Sequence, residues 1–125
     1  VMGTYRMHGK TNEERDLLLE AAREVTEAGA FCVVLECVEE TLSAKITAEV
    51  AIPTIGIGAG SNCDGQVLVT HDLVGLTVGR VPRFVAPLAC LRDPLQEAAK
   101  NFIARTKSKT TFANPTEGKE NVTRY

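Results

Sequence analysis

No stretch of this 125-residue chain approaches the roughly 20 consecutive apolar residues that a membrane-spanning helix needs. Positive charge is not in excess either: 14 Lys and Arg face 16 Asp and Glu, a formal net charge of −2. That balance supplies no basic field for nucleic acid or an anionic membrane, and neither is expected as a partner. Cysteine is sparse, with four residues (Cys32, Cys37, Cys63, Cys90), and none forms the C-x-x-C spacing of zinc or redox motifs. All four sit in or beside apolar runs, which suits small reduced core residues in a reducing compartment, expected to be the cytoplasm. The first six residues, Val1 to Arg6, lack the apolar core of a secretory signal and open in mid-motif. The Asn121-Val-Thr123 glycosylation triplet therefore carries no weight.

What the chain does have is a glycine run. Ile52-Pro-Thr-Ile-Gly-Ile-Gly-Ala-Gly60 begins as a short apolar strand and then places Gly56, Gly58 and Gly60 at alternate positions. Glycine weakens a strand, so the run marks a sharp turn or a close approach to the backbone. The G-x-G-x-G spacing departs from the dinucleotide fingerprint, and no Gly-Lys-Ser/Thr follows, so a P-loop is excluded. A nucleotide-binding module is accordingly disfavoured.

Around the run the chain alternates helix and strand. Thr11-Asn-Glu-Glu14 reads as a capping box. Leu17, Leu18, Ala21, Ala22, Val25 and Ala28 then recur at helical steps until Gly29 stops the helix. Phe31 to Leu35 is a continuous β-prone run, the pattern of a strand buried on both faces of a parallel sheet. A second helix is expected over 40–51, with Leu42, Ile46 and Val50 on one stripe, before Pro53 opens the next strand. Val67-Leu-Val69 is apolar but untyped, Arg80 to Val85 fits a strand or a packed loop, and Leu91 to Arg105 reads as a helix with Pro94 in its first turn. Residues 1–106 thus form one partial α/β domain, and 107–125, almost without apolar residues, are expected to be a disordered tail.

Three ordered segments carry a family resemblance: Tyr5-Arg-Met-His-Gly-Lys10, Gly29-Ala-Phe-Cys-Val-Val-Leu-Glu-Cys37, and IPTIGIGAG continuing through CDGQVLVTHDLVGL. Together they resemble ketopantoate hydroxymethyltransferase, strongly from about Met2 to about Val85, with Met7 and His8 as departures. The resemblance implies the carboxyl-terminal half of a (β/α)8 TIM barrel of the phosphoenolpyruvate/pyruvate type. It implies that the chain is a fragment or the product of a split or truncated gene, stable only against a missing half or another copy. It also implies the family reaction, transfer of a hydroxymethyl group from 5,10-methylenetetrahydrofolate to 3-methyl-2-oxobutanoate, giving 2-dehydropantoate on the way to pantothenate and coenzyme A. Mg²⁺ is the implied cofactor, with its acidic ligands in the missing half, so no metal ligand is assigned here. A homo-oligomer is the implied assembly, in the cytoplasm or, in a eukaryote, the mitochondrion.

Glu36 is the leading candidate for chemistry. It follows the apolar run, at the strand end where barrel enzymes place reactive groups, and alternation sets it on the face of Cys32 and Val34. A carboxylate there suits a general base for the acidic C–H of a keto acid. The plainer alternative is a strand end meeting water or capping the next helix. The resemblance matches this position to the family's catalytic glutamate. Gly56, Gly58 and Gly60 either let the backbone approach substrate or simply form a tight strand exit. Asp64 reads as a turn carboxylate and His71 as a packed histidine. Arg6 and Lys10 read as a solvated basic pair or, alternatively, as contacts to an anionic substrate.

Overall fold

The computed structural model describes residues 6–108. The chain divides into two compact units, Val1–Ala89 and Cys90–Tyr125. In the first, α1 spans Asn12–Glu27 and starts as its capping box predicts. Thr11 is extended, with φ −101° and ψ 157°, and its hydroxyl accepts from the Glu14 N–H at 3.2 Å. The return arm of the box is shifted by one residue: the Glu14 carboxylate accepts from the Lys10 N–H at 3.3 Å. Gly29, with φ +89°, ends the helix in the left-handed region open to glycine.

Two short strands, β1 (Val33–Glu36) and β2 (Thr54–Ile57), flank α2 (Glu40–Glu49). Helix α2 ends two residues before its expected limit, because Val50 is already extended ahead of Pro53. A third strand, β3 (Gly65–Gln66), completes a parallel sheet of order β1-β2-β3. Val33, Val34, Leu35 and Glu36 face Thr54, Ile55, Gly56 and Ile57 in register. The core gathers beneath one face of this sheet: Leu19 and Ala22 from α1, Leu35 and Val38, Leu42 and Ile46 from α2, and Ala59.

Several expectations give way here. Strand β1 is not buried on both faces: Leu35 is buried, whereas Val34 is 55% exposed. Among the described residues, α1 and α2 pack on one face of the three-stranded sheet. Leu17, expected on the buried stripe of α1, is exposed, and Leu19 takes its place in the core. The connection from β2 to β3 contains no helix, only residues 58–64. Parallel strands are usually joined by a dozen or more residues. This short link is held by side chains: Ser43 donates to the Ala59 carbonyl, Gln66 Nε2 to the Gly60 carbonyl at 3.0 Å, and Asp64 Oδ2 accepts from the Thr54 N–H at 2.8 Å.

Val67-Leu-Val69 joins β3 to α3 (Thr70–Leu73), and Arg80 to Val85 is irregular, with Val85 N–H bonded to the Pro82 carbonyl. The second unit holds α4, Arg92–Lys107, with Pro94 in its first turn as expected and Ser108 as its cap. It reaches two residues past the expected end, so Lys107 belongs to the helix rather than to a tail. The remaining residues of the expected tail, 109–125, lie outside the described residues.

Candidate functional site

Glu36 closes β1. Residues paired directly across parallel strands share a face, so Glu36 lies with Val34, Ile55 and Ile57 on the face turned away from the core. The alternation expected for Glu36 and Val34, opposite Val33 and Leu35, holds. On the other face Leu35 is buried, and the Thr54 hydroxyl lies 2.8 Å from that of Thr47 on α2. Glu36 itself is exposed.

The next residue is strained. Cys37 adopts φ +53°, a left-handed conformation uncommon outside glycine. Its N–H donates to the Ile57 carbonyl at 2.9 Å, and its carbonyl accepts from the His8 N–H at 2.7 Å. These bonds hold the strain in place from both neighbours, and such strain clusters at functional sites. Burial pushes the Cys37 thiol pKa up, and the adjacent Glu36 carboxylate adds to the shift. Nothing in Glu-Cys-Val announces this conformation, so sequence reasoning had no signal for it. The expectation of four buried thiols also needs correction: all four are free, but Cys37 alone is buried and Cys90 is exposed.

The glycine run follows directly from β2, whose last residue pairs with Glu36. At each glycine the space a Cβ would take is filled from within the chain. A Cβ on Gly56 would lie 3.0 Å from Cys63 Sγ, on Gly58 2.5 Å from the Phe84 ring, and on Gly60 would run into Glu40 Cγ. Packing and a positive φ together disfavour any side chain at Gly58 and Gly60, whereas at Gly56 the neighbouring side-chain ends need only yield slightly; Phe84, which sequence reasoning passed over, covers Gly58. Asp64 acts as the turn carboxylate expected, its pKa lowered by the Thr54 N–H and hydroxyl. His71 is exposed rather than packed, and its neighbour Asp72 is the buried one, accepting from the Thr77 hydroxyl.

Two carboxylates, at the starts of α1 and α2, gather several donors each. Glu14 accepts from Arg6 Nη2 at 2.7 Å and lies 3.1 Å from His8 Nδ1, which ties the first segment to α1. Arg6 is thus paired with protein while remaining solvated, and Lys10 is exposed. Glu39 caps α2, accepting from the Thr41 hydroxyl at 2.6 Å, Arg15 Nη1 at 2.8 Å and the Leu42 N–H at 3.2 Å. These donors hold both carboxyls far down, to about 2: Glu14 chiefly through Arg6 and His8, Glu39 chiefly through Thr41 and Arg15. A lowered folded pKa stabilises the fold above the ordinary glutamate value and loses that contribution as pH falls toward about 2. Melting temperature should therefore drop between about pH 5 and pH 2, and Glu39→Gln should flatten that drop when melts are compared across the range. An unchanged profile in the variant would contradict this assignment.

Among the described residues no group of three or more His, Cys, Asp or Glu could hold a metal ion. The described residues by themselves offer no ligand set for the Mg²⁺ that the resemblance implies. Nor is any described helix long and apolar enough to cross a membrane.

The family model described as ketopantoate hydroxymethyltransferase matches residues 1–114. A protein of Geotalea daltonii named 3-methyl-2-oxobutanoate hydroxymethyltransferase is 50% identical over 117 residues, which cover 94% of this chain and 43% of the relative. Same-named proteins of Mesorhizobium japonicum and Geobacillus thermodenitrificans are 49% and 48% identical, covering 90% and 86% of this chain and 39% and 38% of theirs. The chain thus spans about two fifths of these curated relatives and corresponds to their carboxyl-terminal part. It belongs to the ketopantoate hydroxymethyltransferase family.

Proposed function

We propose that this chain supplies the general base of a ketopantoate hydroxymethyltransferase and works when completed by the amino-terminal part of the enzyme. The observation that carries the reading is the placement of Glu36 at the carboxyl end of β1, on the open face of a parallel sheet, beside a strained turn and opposite the strand that leads into the glycine run. In a (β/α)8 barrel that face is the interior and that end is the catalytic rim. The substrates are 3-methyl-2-oxobutanoate and 5,10-methylenetetrahydrofolate.

The Glu36 carboxylate takes the proton from the branched carbon next to the keto group, and the C–H electron pair passes into an enolate. Water cleaves the two carbon–nitrogen bonds of the methylene bridge, leaving both folate nitrogens protonated and the one-carbon unit at the formaldehyde level. The enolate carbon bonds to that carbon, and the oxygen of the one-carbon unit takes up the abstracted proton to become the hydroxyl. With one water consumed, the products are 2-dehydropantoate and tetrahydrofolate. Val34, Ile55 and Ile57 form an apolar floor on the same face, suited to the branched methyl groups. The glycine run, packed by Phe84 and Glu40, forms the rim against which substrate lies. Any metal that polarises the keto acid takes its ligands from outside this chain. The family's oligomeric assembly and its place in the cytoplasm or mitochondrion belong to the same reading.

A non-catalytic half-barrel subunit is the second reading, favoured by the exposure of Val34 on the open face. One experiment separates the two. The chain alone is expected to show no steady formation of 2-dehydropantoate. Mixed with the separately produced amino-terminal part of the Geotalea daltonii relative, it should turn over. A mixture that assembles yet stays inactive would favour the non-catalytic subunit.

A further inference from the structure

Shortly after Glu36 comes another carboxylate, Glu40, the first residue of α2. Its Oε1 lies 3.4 Å from each of three donors on the loop that leaves the glycine run: the Ser61 N–H, the Ser61 hydroxyl and Asn62 Nδ2. None of these bonds is short, and no one of them would order a loop. They act together with other contacts. The Glu40 stem fills the space that a Cβ on Gly60 would need. One helical step further, on the same side of α2, the buried Ser43 hydroxyl donates to the Ala59 carbonyl. Gln66 Nε2 donates to the Gly60 carbonyl at 3.0 Å. The loop 59–62 is thus gripped chiefly by the first turn of α2.

That turn is continuous with Glu36. Only Cys37, Val38 and Glu39 intervene, and each is fixed. Cys37 is bonded to Ile57 and His8, Val38 is buried, and Glu39 is held by Arg15 and Thr41. Glu36 and the loop are therefore attached to one rigid stretch, 36–43. The geometry points to Glu40 as a positioning residue for the reaction proposed above. By holding 60–62 against α2 it sets the slot between the Glu36 carboxylate and the rim, without itself touching substrate. All three partners are neutral donors, so the acceptor oxygen is what matters rather than the charge. The inference rests on the functional reading above, but the clamp can also be read without turnover. Without the clamp, the loop is ordered only when substrate binds. If the ordered form falls to about a tenth, apparent affinity for the keto acid falls about tenfold.

The test compares Glu40→Ala with Glu40→Gln, in this chain and in the completed enzyme. Alanine should raise the KM for 3-methyl-2-oxobutanoate at least about tenfold and leave kcat within about threefold. Glutamine keeps the stem and an acceptor oxygen, and should bring KM back to within about threefold of the parent. Amide hydrogen exchange at Ser61 in this chain should quicken with alanine and slow again with glutamine. Circular dichroism should stay that of the parent, because Glu40 is exposed and alanine suits a helix. Asn62→Ala removes a donor from the loop side; it should raise KM by itself and add little to Glu40→Ala. Parental KM in Glu40→Ala overturns the proposal. So does a glutamine variant that behaves like alanine, which would make the charge the active feature. Fully additive costs of Glu40→Ala and Asn62→Ala overturn it too, as does Ser61 exchange that ignores both substitutions. A completed parent that never turns over, with Ser61 exchange following the expected pattern, defeats the functional reading and leaves the clamp standing. Turnover with a KM indifferent to Glu40→Ala does the reverse.

Discussion

Glu36→Gln in the completed enzyme is expected to lower kcat by about 10²–10⁴-fold, the range general-base removal commonly gives, with little change in KM. The amide keeps the size and the hydrogen-bonding reach of the carboxylate but cannot accept the substrate's proton. Because Glu36 is exposed in this chain and has no place in the core, the substitution should leave folding and assembly intact. The loss would then fall on the chemical step, where a group acting only in the transition state shows its effect. A variant that retains more than about a tenth of parental kcat would remove Glu36 from the role. The strained Cys37 sharpens the expectation, since it fixes the direction in which the strand end leaves the sheet.

The second large effect concerns stability. Gly58→Ala should destabilise the first unit by about 2–5 kcal/mol, from a left-handed backbone penalty of about 1–2 and an overpacking cost of about 1–3. Gly58 sits at φ +63°, and a Cβ there would lie 2.5 Å from Phe84 Cδ1. Gly29→Ala provides the control. Its φ is +89° but nothing lies within 4 Å of the added carbon, so only the backbone penalty remains. Combining Gly58→Ala with Phe84→Ala should recover the packing share and leave the backbone share, a coupling that a double-mutant cycle in urea would read directly. Additive costs would mean that Phe84 does not rest on Gly58.

Much of this arrangement was legible before any coordinates. The capping box at Thr11, the stop at Gly29, the Leu42–Ile46 stripe and the two apolar runs around α2 each obey local rules of period and capping, and the elements fall where those rules put them. The placement of Glu36 on the face of Val34 follows from alternation alone. The parts that were not legible depend on partners remote in sequence. The helix-free link of 58–64 is held by Ser43, Gln66, Thr54 and Asp64, and no local pattern encodes those meetings. Leu17 and Leu19 differ in burial because of where α2 and the sheet lie, which helical period cannot distinguish. The left-handed Cys37 is set by its hydrogen bonds to the Ile57 carbonyl and from the His8 N–H, and the exposure of Val34 by the sheet's being open on one face.

Proton abstraction at the branched carbon can be watched without the folate. The completed enzyme, incubated in deuterium oxide with 3-methyl-2-oxobutanoate alone, should replace that carbon's hydrogen by deuterium, followed by proton NMR, and Glu36→Gln should reduce the exchange to the background rate. Exchange at the parental rate in Glu36→Gln would show that another group takes the proton.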